Sequence, residues 1–169
     1  FEMSFVSEDD VMDIAEQFVK RAFKEVLHTD IQTPIRRMTY KESMEKYGSD
    51  KPDLRFKMEL NDLTDLLKNT EFRVFADAIS NDGSVKAIVV KALASGITRK
   101  EIDLLAQWVQ TYGAKGLAWT KLNLDGTSSS SYEKFLSSDE IAGIRSSLEV
   151  QDGDLIFIVA SDDNNVVYN

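Results

Sequence analysis

The chain has 169 residues, of which 43% are hydrophobic and 29% are charged, a balance typical of a globular protein with one domain or one domain plus an appendage. It contains no cysteine, which excludes disulfides and thiolate metal sites, and no apolar run approaches the roughly 18 residues that a membrane span needs. The net charge is −9 and neither residues 1–60 nor residues 61–169 are basic, so we expect only weak binding of nucleic acid by this chain alone.

The beginning of the chain predicts a short strand followed by a long helix. Residues 1–6 alternate between apolar and polar side chains, as a half-buried strand does. Ser7 is then a typical N-cap, and apolar residues recur at helical spacing along Glu8–Leu27 in a stripe wide enough that part of it is expected to be exposed. His28, the only histidine, is predicted to cap this helix rather than to act as a base or ligand, since no second histidine is present.

A second short helix leads into a charged connector. Thr39-Tyr40-Lys41-Glu42 predicts a capping box for a helix that ends at Gly48, a residue suited to the left-handed conformation that ends helices. Pro52 prevents a helix from continuing through the segment Gly48-Ser49-Asp50-Lys51-Pro52-Asp53-Leu54-Arg55. Its charges alternate in sign and are expected to pair with one another or with a neighbouring surface.

Residues 61–113 are predicted to form a helix, a hairpin and a second helix. Asn61 is a typical N-cap for a helix through about Lys68. Apolar residues then alternate from Glu71, and an Asp-Gly turn follows, so residues 71–93 are predicted to be a β-hairpin. Thr98 begins a capping box, and the helix that follows is predicted to end at Gly113 and to place Trp108 in the core.

The last third of the chain predicts two strands separated by a loop and two helical segments. Gly116–Leu124 is the first strand, and the serine-rich segment 125–131 is predicted to be a mobile loop. A helical turn is predicted for 132–136, and a helix is predicted to begin after Ser137. The run Leu155–Ala160 is apolar throughout, as expected of a central strand. This order predicts an α+β fold, with a largely antiparallel sheet and helices gathered on one face.

Several strings of this sequence, in order, resemble those of bacterial-type aspartyl-tRNA synthetases. The connector Gly48–Arg55, with Arg37-Met38-Thr39-Tyr40 and Tyr47 before it, is similar to a signature that joins the class II catalytic core of that family to an inserted domain. The other similar strings are Phe1-Glu2-Met3-Ser4-Phe5, Tyr112–Trp119, Lys134-Phe135-Leu136 and Gly153–Phe157. The first of these resembles the end of the motif 2 strand, and the others resemble the family's insertion, the GAD domain.

The resemblance implies a division into three parts. Residues 1–60 correspond to a rim of the catalytic core, 61–162 to the GAD insertion domain, and 163–169 to the return into the core. Because the sequence opens on Phe1 and lacks the ATP-binding arginines of the family, the resemblance implies a fragment that is inactive alone. The parent would be a cytoplasmic homodimer that uses ATP and Mg²⁺ to attach aspartate to tRNA, whereas the fragment is expected to be a monomer.

No residue of this sequence is expected to be catalytic, to bind a cofactor or to ligate a metal, since the short motifs of phosphate-binding loops, zinc proteases and serine hydrolases are absent. The candidate hinge or interface residues are Asp50, Lys51, Asp53 and Arg55. The candidates for a weak tRNA contact are Lys115 and Lys134, although pairing of Lys115 with a nearby acid is favoured.

Two other roles remain open for the insertion. It is a binding module for tRNA or protein, related to a domain of tRNA-dependent amidotransferases, or it is a structural spacer that braces the active-site rim. The acidic net charge favours the spacer over tRNA binding.

Overall fold

The computed structural model describes residues 2–168, which form two compact units, one up to Thr39 and one from Tyr40 onward. No helix within residues 2–168 combines the length and the apolar character that crossing a membrane requires.

The first unit is built on helix α1, Glu8–Leu27, as predicted. Ser7 forms a capping box with Asp10, and His28 is the C-cap, with φ 52° and its backbone N–H donating to the carbonyl oxygen of Phe23. No residue of α1 is buried, and Phe18 is 70% exposed, so the expectation of an exposed apolar stripe is confirmed. The strand predicted at the start is wrong for residues 2–6, because no strand lies within residues 2–39 to pair with it; Phe1 lies outside the described residues.

The second unit contains one antiparallel sheet of five strands in the order β1-β2-β5-β3-β4. The strands are β1 Asn61–Asp62, β2 Ser84–Val90, β3 Ala118–Leu122, β4 Ser128–Ser130 and β5 Leu155–Ser161. The prediction that β5 is central is confirmed, and its apolar composition follows from burial of side chains on both faces.

Five helices accompany this sheet within the described chain. They are α2 Tyr40–Tyr47, α3 Arg73–Ser80, α4 Arg99–Gln110, α5 Ser138–Ser147 and α6 Asn164–Tyr168, with 3₁₀ turns at Leu54–Phe56 and Glu133–Phe135. The capping box predicted at Thr98 forms, and a second one forms at the predicted helix start Ser137, because each side chain accepts from the backbone three residues later. Gly48 has φ +65° immediately after α2, as expected of a residue that ends a helix.

The hairpin predicted for residues 71–93 is wrong in its first half. Residues 73–80 form α3, and only the second half is a strand, β2. Phe72 and Phe75 pack edge to face with ring centroids 4.8 Å apart, and Phe75 and Ala78 are buried. This helical spacing of large side chains outweighs the alternation of smaller apolar residues on which the prediction depended.

Three further predictions are corrected. Residues 61–68 form β1 and a series of turns rather than a helix, although Leu63 and Leu67 are buried as expected. The serine-rich loop contains β4, because Ser130 and Thr120 join their hydroxyls at 2.8 Å across the β3–β4 pair. Trp108 is 56% exposed and not in the core.

Helices cover both faces of the sheet, whereas the sequence predicted that they gather on one face only. On the first face, α3, α5 and the turn after β1 pack on a cluster that includes Phe75, Ile144 and Ile156. On the second face, α4 contributes Ile102 to a smaller cluster with Leu155. We call these the α3/α5 face and the α4 face.

Candidate functional site

The segment 47–60, which contains the connector, meets α6 where the chain enters and leaves the sheet. We call residues 47–60 together with α6 the neck. A side chain at Gly48 would overlap the backbone carbonyl of Tyr168, so only glycine permits this approach. The backbone N–H of Leu60 donates to the carbonyl oxygen of Lys46 at 2.7 Å, and the Tyr47 hydroxyl donates to Glu59 at 2.7 Å. These contacts hold the two ends of the connector together.

The predicted hinge charges pair locally. The Arg55 guanidinium donates to Asp53, with Nε 2.8 Å from Oδ1, and these hydrogen bonds lower the pKa of Asp53 to about 2. Arg55 is exposed, and the Lys51 backbone N–H donates to Ser49 Oγ. Within residues 2–168, Asp50 and Lys51 form no ion pair with one another or with the sheet. The sequence-based prediction of mutual pairing is therefore correct for Asp53 and Arg55.

An ion pair between a buried lysine and a half-exposed aspartate, beside the neck, was missed by sequence reasoning. Lys86 in β2 is 6% exposed and its Nζ lies 2.8 Å from Asp62 Oδ2, with the Tyr168 ring 5.9 Å away. Burial raises the pKa of Asp62, but hydrogen bonds from Lys86 and Thr64 outweigh burial and lower it. The available signal was a lysine between Val85 and Ala87 in a segment, 85–90, whose other residues are all apolar.

Lys115 lies at a cavity of about 360 Å³ between α3, residues 115–118 and the end of β5, which we call the α3 groove. Its Nζ is 3.9 Å from Asp162 Oδ1, and the two side chains are 77% and 50% exposed. The favoured pairing with an acid is therefore present, but at a distance and exposure at which an ion pair adds little stability.

Lys134 lies close to the same groove. Its ammonium is 4.8 Å from the Phe135 ring centroid, and Phe135 stacks on Phe72 at 5.1 Å. Phe72 lines the α3 groove together with Lys115. Lys115 is thus linked to Phe72 through the groove lining and Lys134 through Phe135, while a contact of either lysine with tRNA stays a prediction.

The aspartate in the string Gly153–Phe157 has a structural role. Asp154 is 4% exposed and accepts hydrogen bonds from the backbone N–H groups of Ala92 and Gln151 and from Lys91 Nζ, at 2.9 to 3.0 Å. Burial raises the pKa of Asp154, but these donors outweigh burial and hold the pKa below its usual value. In the part of the chain that the structure describes, no group of three or more acidic or histidine side chains could hold a metal ion.

Comparison with protein families matches residues 75–169 to the GAD domain, which is more than half of the chain. The chain belongs to the GAD domain family. The matched range begins within α3 and extends through β5 and α6. Leu63 and Leu67 lie before this range yet pack in the same core, while the predicted domain limits at 61 and 162 stay a prediction.

Curated relatives extend the similarity to nearly all of this GAD-containing chain. It is 51% identical over 168 residues to the aspartate–tRNA ligase of Ruminiclostridium cellulolyticum and 51% identical over 166 residues to that of Clostridium perfringens. It is 50% identical over 166 residues to the aspartate–tRNA(Asp/Asn) ligase of Hydrogenobaculum. These matches cover 98–99% of the chain but only 27–28% of each relative. The 169 residues therefore correspond to just over a quarter of such a ligase.

Proposed function

We propose that this chain is the GAD-containing part of an aspartate–tRNA ligase and that it is accessory to catalysis. The observation that carries the proposal is identity of about 50% to such ligases over 99% of the chain, combined with coverage of 28% of their length. The parent enzyme activates aspartate with ATP and Mg²⁺ and transfers it to tRNA, in the cytoplasm and as a homodimer. Residues outside this chain supply that chemistry.

Three acidic side chains have a structural role at helix starts, which fits an accessory chain. Asp10, Glu101 and Glu140 each close a capping box at the start of a helix. Hydrogen bonds from the backbone and the side chain of the capping residue lower the pKa of Asp10 and that of Glu101. Carboxylates held ionised in this way stabilise helices, and they are poor proton donors near neutral pH.

An exchange assay tests the accessory role. The isolated chain, incubated with aspartate, ATP, Mg²⁺ and labelled pyrophosphate, is expected to form no labelled ATP, whereas a full-length ligase containing it exchanges label. Exchange by the isolated chain at a rate proportional to its concentration would overturn the proposal.

We further propose that the neck sets the position of the GAD domain on the ligase core, with Lys51 and Arg55 turned toward that core. The support is the closed geometry at Gly48 and Tyr168 and the exposure of Arg55. In the full enzyme, Arg55→Glu is expected to slow aspartylation, and Lys100→Glu on exposed α4 is the matched control. Unchanged aspartylation by the Arg55 variant would contradict this role.

A contact with tRNA is the second candidate, and the observation that favours it is the proximity of Lys115 and Lys134 to the Phe72–Phe135 stack. Fluorescence anisotropy with cognate and non-cognate tRNA at low salt tests it. Micromolar binding that distinguishes the two tRNAs and is lost in a Lys115→Glu, Lys134→Glu double variant would establish the contact. Absence of binding, or equal binding to both that disappears with modest salt, would leave the domain as a structural brace.

A further inference from the structure

The central strand β5 has no strand partner along the last part of one of its edges. It pairs with β2 along its whole length, from Val90↔Leu155 to Ser84↔Ser161. Its pairing with β3 ends at Ala118↔Ile158. The last three residues of β5, 159–161, therefore have a strand partner only on the β2 side.

The register shows which backbone groups are left over. The N–H of Leu122 donates to the carbonyl oxygen of Asp154 at 2.9 Å, so even-numbered residues of β5 direct their backbone groups toward β3. Ala160 therefore faces the position of Gly116, but residues 115–117 are not in a strand. Within residues 2–168, no hydrogen bond joins Ala160 to Gly116.

The unpaired backbone of Ala160 lies in a protected place. Ala160 is 9% exposed and lines the α3 groove, and a side chain built at Gly116 would meet no atom within 4 Å. Buried backbone N–H and C=O groups almost always have a partner. A donor and acceptor pair that borders an open groove is the edge to which an extended chain adds in β-augmentation.

The walls of the groove indicate the side chains that such a partner carries. Phe72 and Leu117 present apolar surface, and Val74 is 52% exposed at the α3 side. Arg73 and Lys115 line the same cavity, and within the described chain Arg73 forms no ion pair. The long, exposed contact between Lys115 and Asp162 is one that a carboxylate of the partner can replace.

We propose that the α3 groove binds an extended peptide segment, which pairs its backbone with Ala160 and places a carboxylate beside Arg73 and Lys115. The proposal goes beyond the ligase role and does not rest on it. A peptide fits better than RNA because the free edge offers a backbone donor and acceptor and the walls are apolar. Asp77 and Asp162 in the same lining, with the net charge of −9, oppose a polyphosphate chain.

Amide hydrogen exchange of the 169-residue chain tests the free edge directly. The Ala160 amide is expected to exchange at least about tenfold faster than the amides of Ile158 and Val159, which donate to β3 and β2 respectively. Equal protection of all three amides would show that Ala160 already has a partner and would overturn the proposal.

Binding is then measured by anisotropy with fluorescein-labelled hexapeptides that alternate valine and threonine and end in glutamate with a free C-terminus. Binding is expected to slow exchange at Ala160, to weaken about tenfold in Arg73→Glu, and to be unchanged in Lys100→Glu, which makes the same charge change on the other face. Peptides N-methylated along the backbone are expected not to bind.

Three outcomes of the binding measurements also contradict the proposal. The first is no binding of any hexapeptide at about 1 mM, the weak limit of a specific contact. The second is binding that N-methylation of the peptide leaves unchanged. The third is that labelled oligouridylate binds and loses affinity in Arg73→Glu while the peptides do not, which would make the groove a nucleotide site. An inactive parent ligase would leave all of these measurements unaffected, so failure of the proposed function is distinguishable.

Discussion

The two faces of the sheet are formed by the same strands, but helices and turns cover them to different degrees. On the α3/α5 face, Phe75, Ile144 and Ile156 are at most 2% exposed and form one continuous cluster. On the α4 face the buried cluster is smaller, and beside it lies an apolar cleft of about 530 Å³. Trp108 lines that cleft and remains 56% exposed. The packing on the α3/α5 face is therefore expected to contribute most of the stability of the fold.

The strand β5 shows how this difference arises. Successive side chains point to opposite faces, so Ile156 and Ile158 enter the large cluster while Leu155 and Phe157 enter the small one. Two helices and a turn cover the first face, whereas α4 buries only Ile102 fully against the second. A helix that buries one residue leaves much of its apolar face in contact with solvent.

The largest expected effect is the loss of stability when a buried side chain of the α3/α5 face is truncated. Phe75→Ala is expected to destabilise the chain by about 3–5 kcal/mol, because Phe75 is 1% exposed and contacts both Phe72 and Tyr132. Urea unfolding followed by circular dichroism measures the loss. Trp108→Ala on the α4 face is the control and is expected to cost less than about 1 kcal/mol. Equal losses would mean that the α4 face is covered in solution.

A somewhat smaller effect is expected at the buried carboxylate that joins the ends of β2 and β5. Asp154→Ala removes the acceptor of two backbone N–H groups and of Lys91, and is expected to cost about 2–3 kcal/mol in urea unfolding. Asp152→Ala, in the same turn but exposed, is the control. A loss as large in the control would show that turn composition, rather than the network of Asp154, stabilises this end of the sheet.

The same carboxylate predicts a dependence of stability on pH. The folded-state pKa of Asp154 lies below its ordinary value of 3.8, so its contribution is complete above pH 3.8 and is lost as the pH falls through the folded-state pKa. The difference in unfolding free energy between wild type and Asp154→Asn is therefore expected to shrink from pH 7 to pH 3. A difference that stays constant over this range would contradict the assignment.

The elements with local signals were predicted well from the sequence. The capping boxes at Ser7, Thr98 and Ser137 fix the starts of three helices, because caps are encoded within four residues. The all-apolar run of β5 likewise indicated its central place. These features need no knowledge of the rest of the chain.

The features that were missed depend on residues far apart in the chain. Trp108 occupies a helical position that is normally buried, but no part of residues 40–168 covers the outer side of α4 enough to bury it. The approach of Gly48 to Tyr168 and the pair of Lys86 with Asp62 require the fold itself. The free edge at Ala160 is visible only from where β3 begins, which the sequence prediction placed two residues too early, at Gly116.

The smallest expected effect is spectroscopic and compares the two tryptophans, both of which lie toward the α4 face. Trp119 is 6% exposed and packs with Leu155 and Phe157, with the Arg99 guanidinium 4.7 Å above its ring. Trp108→Phe leaves Trp119 as the only tryptophan, and its emission is expected at shorter wavelength with weak quenching by acrylamide. Trp119→Phe leaves Trp108 and is expected to give longer-wavelength emission with strong quenching.

If Trp108 is instead quenched weakly, repeating the measurement after dilution distinguishes two explanations. If Trp108 is quenched as weakly as Trp119 at high protein concentration and more strongly after dilution, a second copy covers the α4 face. If the weak quenching persists on dilution, the outer part of α4 is covered within one chain, and the contrast between the two faces is wrong. Strong quenching of Trp108 at every concentration would leave the α4 face as the open side of the sheet, because only an exposed indole meets acrylamide without prior unfolding.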